Sequence, residues 1–253
     1  MLAATPSVGD RSFQFGDGIF STIKVSDGQP ELWPLHLSRL QAGVERLAMP
    51  APDWQALTKN VQQAVTAKHQ VVKVLISRGH AGRGYSPAGV AGPDVFITTA
   101  ELPDYRQWQQ QGIQLGLARL QLACQPALAG LKHNNRLEQV LLKQELAMTD
   151  WDDLLVLDQQ GVITEAIAAN LFFYCQQQWF TPQLQRAGVA GVMRAHVMTK
   201  LTTQEVNWTL PDLKQVEAIF VCNALCGVVP VRQFQHRTMD IAAVKRLQQE
   251  LLC

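Results

Sequence analysis

Apolar residues recur along the chain with two different periods. IFSTIKV (residues 19–25) reads as a strand, and Asp27-Gly28 closes it with a turn. Over residues 34–48 the spacing changes. Leu37, Leu40, Val44 and Leu47 stand three, four and three apart, which predicts a helix with Pro34 in its first turn. A second helix is expected over 53–67, and VVKVLISR (71–78) and DVFITTA (94–100) read as strands. Between those strands lies GHAGRGYSPAGVAGP, with five glycines. A loop of that length in a compact domain is commonly a binding loop.

Residues 101–112 break the strand pattern, so a domain boundary is placed at 107/108. The division gives a small N-terminal α/β domain (1–107) and a C-terminal domain (108–253). The second half opens with GIQLGLARLQLA, which alternates as a strand does. A helix follows over about 136–148, with Leu137, Val140, Leu141 and Met148 on one side and Asn135 and Glu138 spaced as a capping box. Lys132 lies just outside it. DDLLVLD, VITEA, NLFFYC and EAIFVCN read as strands; helices are expected after GVAG (188–191) and over 239–252. The class is mixed α/β (α+β), with hairpins in both halves rather than a simple doubly wound sheet.

Composition narrows the function. Apolar residues make up 47% of the 253, enough for a substantial core, and 22 basic against 21 acidic side chains leave a net charge of +1. That balance carries no footprint for nucleic acid or an anionic membrane, so any bound anion is held by a few placed groups. The five cysteines, Cys124, Cys175, Cys222, Cys226 and Cys253, include no CxxC pair, which argues against a disulfide framework or a thiolate metal site and suits a reducing, cytoplasmic setting. The first residues lack the pattern of a signal peptide, and no apolar run approaches a membrane span.

The candidate chemistry starts at Lys132. A lysine at a loop–helix junction is ordinarily a solvated charge. Its functional alternative is capture of a carbonyl, and the resident carbonyl partner of that kind is pyridoxal 5'-phosphate. Such a cofactor also needs an anion site and an acid beside its ring nitrogen. Gly188 and Gly191 precede a helix whose first amides, Val192 and Met193, would favour an anion, although a glycine pair before a helix is usually only a turn. Arg39 stands beside the apolar stripe of its helix and is either a surface arginine or an inward fork for phosphate. Glu165 sits among apolar and small residues in VITEAIAANLFF, where a carboxylate is either turned to water or paired. Dinucleotide, P-loop, zinc-protease and GxSxG motifs are absent, and His36 and His133 read as surface or hydrogen-bonding histidines.

The stretches FQFGDGIFSTIKV, HLSRL, KVLISRGHAGRGYSP, LAGLKHNNRLEQVLL, VITEAIAANLFF, AGVAGVMR and CNALCGVVPV run in this order over nearly the whole chain. In them the chain resembles the class-IV aminotransferase family, the fold-type IV pyridoxal phosphate enzymes, and LKHNNRLEQV, GRGYS and NAL resemble its lyase branch. The resemblance implies a two-lobed fold, a small N-terminal lobe and a larger C-terminal one with the cofactor between them, and a homodimer. It implies that Lys132 holds the cofactor and acts as acid and base. Arg39, the amides of Val192 and Met193, and the Asn223-Ala224 turn would bind the phosphate, and Glu165 would face the pyridine nitrogen. The implied substrate is 4-amino-4-deoxychorismate, converted to 4-aminobenzoate and pyruvate on the way to folate. Arg83 and Lys24 are candidates for its carboxylates, Tyr85 for a hydrogen-bonding wall, and Thr22 for proton delivery. No metal is implied.

Two departures from the family stand out. MLAATPSVGDRSFQFGDG is too short for the initial strand that relatives carry, and Met193 and Ala224 stand where aminotransferases often place threonines. The alternatives are an aminotransferase for D-amino or branched-chain acids on the same scaffold, and a non-catalytic pyridoxal phosphate-binding protein.

Overall fold

Asp10 begins the first element. Its carboxylate accepts from the amides of Ser12 and Phe13 at the head of α1 (Arg11–Phe15), and Gly16, at a φ of 66°, ends it. This is a computed structural model, and it describes residues 6–80, 82 and 84–252. The contacts divide the chain into two units, Met1–Pro103 with Leu131–Arg136, and Asp104–Gly130 with Leu137–Cys253.

In the first unit, β1 (Gly18–Ser26) turns at Asp27-Gly28 into β2 (Gln29–Pro30). Next come α2 (Trp33–Arg46), with Pro34 in its first turn, and α3 (Trp54–Gln63), capped by Asp53. β3 (Gln70–Ser77) and β4 (Asp94–Ala100) complete an antiparallel sheet in the order β2-β1-β3-β4. Ile19, Ile23, Val25, Val72, Val74 and Ile76 cover one face and bury against Leu40 and Val44 of α2 and Leu57 and Val61 of α3. Gly43 permits this approach, because a Cβ there would lie 2.8 Å from Ile19 Cδ1. The register puts two rows on the opposite face: Phe20, Leu75 and Phe96, then Thr22, Lys73 and Thr98.

The lysine segment attaches to this unit. β2 covers only Val25 and Ser26 on its edge of β1, so the other end of that edge needs partners. The Phe20 amide donates to the Lys132 carbonyl and the Asn134 amide to the Gly18 carbonyl, both at 2.9 Å, and Ile19 bridges His133. A linear division at 107/108 groups Lys132 with the C-terminal half. The contacts place Leu131–Arg136 with the first unit instead.

Two arginines that sequence reasoning passed over are structural. Arg11 Nε and Arg78 Nε each lie 2.8 Å from Asp17 Oδ2. Arg11 spends its other donors on the carbonyls of Gly84, Tyr85 and Ser86, and Arg78 on those of Leu47 and Ala48. Burial alone would raise the Asp17 pKa, but the hydrogen bonds and charges of Arg78 and Arg11 outweigh it and hold the carboxyl below 3.8.

The second unit starts with α4 (Arg106–Gln111) inside the segment read as a break. β5 (Ile113–Leu117), α5 (Leu137–Leu146), β6 (Asp153–Leu157), β7 (Ile163–Ala166), β8 (Asn170–Cys175) and β9 (Gln178–Pro182) follow. Then come α6 (Val192–Lys200), β10 (Thr203–Val206), β11 (Ala218–Asn223), β12 (Gly227–Phe234), β13 (Arg237–Thr238) and α7 (Ala242–Leu252). The strands form one sheet in the order β10-β9-β8-β11-β12-β5-β6-β7, with β13 on β12. Hairpins alternate with the parallel pairings β9/β10, β12/β5 and β5/β6, as expected of a mixed fold. Phe172 and Phe220 stack at 4.6 Å on the face covered by Val197 of α6 and Val244 and Leu247 of α7.

Three expectations change here. The strand beginning at Ile113 ends at Leu117. The capping box at Asn135 and Glu138 does not form: the Asn135 amide donates to the Gly16 carbonyl, and the Glu138 carboxylate accepts from the Ala123 amide. Leu137, Val140, Leu141 and Met148 share a side but are exposed, and α5 buries Leu142 instead. Among the described residues no helix is long and apolar enough to cross a membrane.

Candidate active site

Lys132 is positioned by its backbone. The hydrogen bonds to Gly18 and Phe20 fix the segment's register on β1, and Gly18 is required there because a Cβ would lie 2.5 Å from the Ile76 carbonyl and 2.6 Å from Asn134 Nδ2. The Asn134 amide also reaches Ser12 Oγ. Lys132 is half-buried, and its Nζ lies 4.5 Å from the centre of the Phe20 ring. The amine lies over the face of an aromatic ring, a favourable place for a cation.

Arg39 turns inward from α2. Its Nη2 donates to Ser21 Oγ at 2.6 Å, and Ser21 lies 2.7 Å from His36 Nδ1. With Ser21 accepting from the guanidinium, its hydroxyl proton points at His36 Nδ1, so the imidazole is neutral and carries its proton on Nε2. Burial, then the charges of Arg39 and Lys132, push the His36 pKa from 6.5 down to about 3. The histidine is fully buried and hydrogen-bonded, so the surface option for it fails. Burial lowers the Arg39 pKa to about 10. Its Nε is buried with no hydrogen-bond partner, and no carboxylate among the described residues pairs with it. A buried guanidinium with an unused donor is a site for an anion.

His36 sets an acid dependence. Below pH 6.5 the unfolded chain takes up a proton that the folded one refuses until about pH 3, so stability falls across that window. Urea midpoints measured from pH 7 to 4 decline in the parent protein and decline less in His36→Gln.

In the second unit, Glu165 lies on β7, buried, and its Oε2 accepts from the Val189 amide at 2.8 Å. Gly188, at a φ of 81°, lets that loop close over it, since a Cβ there would lie 3.2 Å from Glu165 Oε2 and 2.7 Å from Thr164 Cγ2. Asn170, at the start of β8, holds the other end. Its Oδ1 accepts from the Gly191 amide at 3.1 Å and its Nδ2 donates to the Val189 carbonyl at 2.8 Å. At Gly191 a Cβ would sit 2.1 Å from Asn170 Oδ1, so only glycine fits. No side chain caps α6, leaving its first turn, with Val192 and Met193, suited to an anion. Asn223 spends its side chain on the Leu225 and Cys226 amides and the Ala168 carbonyl, so an anion beside this turn would meet backbone.

Glu165, the loop before α6 and Asn223 are thus linked through Asn170, which pairs with Cys222 on β11. Sequence reasoning missed Asn170. Its only signal was a polar residue in the run AIAANLFF.

Thr22, Lys24 and Tyr85 lie in the first unit. Thr22 sits in the polar row beside Lys73. Lys24 is paired with Glu31 at 3.0 Å, so it is a poorer carboxylate ligand than expected. Tyr85 is 84% exposed and its ring meets Phe15 at 5.2 Å, so in this conformation it forms no wall. Arg83 lies outside the described residues.

Residues 18–234 match the family profile for amino-transferase class IV. The chain is 45% identical over 231 residues to the aminodeoxychorismate lyase of Vibrio harveyi, covering 88% of this chain and 85% of that one. The crystal structure of 4-amino-4-deoxychorismate lyase from Pseudomonas aeruginosa superposes with a TM-score of 0.93 at 35% identity, over 98% of this chain and 95% of that one. A branched-chain amino acid aminotransferase structure from Escherichia coli shares the fold, with a TM-score of 0.87 at 20% identity over 97% of this chain and 88% of its own.

Proposed function

Because this chain belongs to the class IV aminotransferase family, we propose that it is a pyridoxal 5'-phosphate-dependent lyase converting 4-amino-4-deoxychorismate to 4-aminobenzoate and pyruvate. The carrying observation is its likeness to two lyases of that name, which exceeds its likeness to the aminotransferase. The cytoplasm and a homodimer complete the reading. The exposed Leu137, Val140 and Leu141, at helix spacings of three and four, support a surface that a second copy covers.

The residues fit the cofactor. Arg39, with its unused buried Nε, suits the phosphate, together with the amides of Val192 and Met193 and the backbone at Asn223-Ala224. Glu165 suits the pyridine nitrogen, and Lys132 the aldehyde carbon. When bound, the cofactor supplies a sink for negative charge developed on the substrate. Lys132 would hold the cofactor and would move the proton from the ring carbon that bears the substrate amine. Glu165 keeps a proton at the pyridine nitrogen. Thr22 assists proton delivery, and Arg83, Lys24 and Tyr85 are the substrate-side candidates. The ring carbon–oxygen bond then breaks, the side chain leaves as enolpyruvate and takes up a proton to become pyruvate, and aromatisation of the ring makes the step effectively irreversible.

One assay decides. Cofactor-loaded protein given aminodeoxychorismate forms 4-aminobenzoate and pyruvate in equal amounts. Turnover only with an amino acid and a keto acid identifies an aminotransferase, and bound cofactor without turnover identifies a carrier. Arg39→Gln weakens cofactor binding about tenfold to a hundredfold, because it removes a charge-assisted contact. Fluorescence titration of the cofactor reads that change.

A further inference from the structure

The residues assigned above leave one cluster unused. Asp10 ahead of α1, His80 just after β3 and Asp94 at the start of β4 each offer a ligand atom, and these atoms lie within 4.8 Å of one another. We propose that Asp10, His80 and Asp94 bind a divalent first-row metal ion that fastens both ends of loop 79–93 to the segment before α1.

Asp10 carries the argument. It is fully buried, and its Oδ1 already accepts from the Ser12 and Phe13 amides and the Ser77 hydroxyl. Its Oδ2 is also buried but has no hydrogen-bond partner. A buried carboxylate oxygen without a donor is costly, and a cation removes that cost. The geometry around it suits one ion. His80 Nδ1 lies 3.0 Å from Asp94 Oδ2. That contact is a hydrogen bond, and ligand atoms about 2.1 Å from one tetrahedral ion stand roughly 3.4 Å apart, so an ion replaces it with a shift of a few tenths of an ångström. Ser7 Oγ lies against His80 Nε2, the ring nitrogen turned away from Asp94, and so fixes the orientation of the imidazole. Asp10 and His80 are paired as an isolated antiparallel bridge, so their backbones hold the cluster without side-chain help. Two carboxylates and one imidazole suit Mn2+ or Zn2+ rather than a thiophilic ion. His80 is exposed and Asp94 half-exposed, which gives the ion a route of entry from solvent.

The test uses the full-length, tag-free chain, stripped with chelator and titrated calorimetrically with Zn2+ or Mn2+. The expected result is one equivalent per chain and a higher melting temperature with the ion. Asp94→Asn and His80→Asn each weaken binding at least about tenfold. Asp10→Asn does the same while keeping an oxygen to cap α1, and metal-free melting of each variant reports that the fold persists. No binding at millimolar ion overturns the proposal. So does binding that survives unchanged in Asp94→Asn, which is a partly exposed site and needs no refolding of the core. The outcome does not depend on the cofactor or on lyase turnover.

Discussion

Lys132→Ala abolishes the borohydride-reducible cofactor adduct and lowers 4-aminobenzoate formation by about 10⁴-fold or more, because one amine both holds the cofactor and moves a proton. Mass spectrometry of the reduced, digested protein reads the first effect, and product release over time reads the second. The environment supports the expectation. The amine is half-buried against the Phe20 ring, on a segment held at two points to β1. An adduct that persists on another lysine removes Lys132 from its role. The segment stays docked in the variant, because its hydrogen bonds to β1 are main-chain.

Glu165→Gln keeps the cofactor but loses turnover by about a hundredfold or more, because a neutral amide no longer holds a proton at the pyridine nitrogen. The substitution is nearly isosteric, and its carbonyl oxygen can still accept from the Val189 amide, so the loop closed by Gly188 stays in place. The visible absorption of the loaded protein measures retention, and the rate of pyruvate formation measures the loss. Undiminished turnover in the variant excludes the carboxylate from the chemistry.

Most of the candidate site is legible in the linear sequence, for a physical reason. The anion-favouring helix start needs glycines next to its first amides, so its signal is contiguous: GVAGV in the chain becomes Gly188, Gly191 and an uncapped α6. The helical and strand periods are likewise local, and β1, β3, β4 and α2 fall close to where the spacing puts them. Other residues gave no such signal. Asn170 matters because it reaches Gly191 from a neighbouring strand, and Arg11 because Asp17 and the carbonyls of residues 84–86 surround it. α5 shows the limit of periodicity: an apolar stripe predicts a face, and here the face is exposed.

The order of reactive residue types, the alternation of periods and the lack of any bulk charge were determined by the chain's own letters, because each depends on neighbours a few residues away. Tertiary structure alone decided that the lysine segment docks on the edge of β1 and that the Arg39 guanidinium keeps an unused donor in a buried place. It also decided that a capping aspartate keeps a second oxygen in reach of His80 and Asp94. Those outcomes follow from which distant strands and loops share hydrogen bonds, and long-range pairing leaves no periodic trace in the sequence.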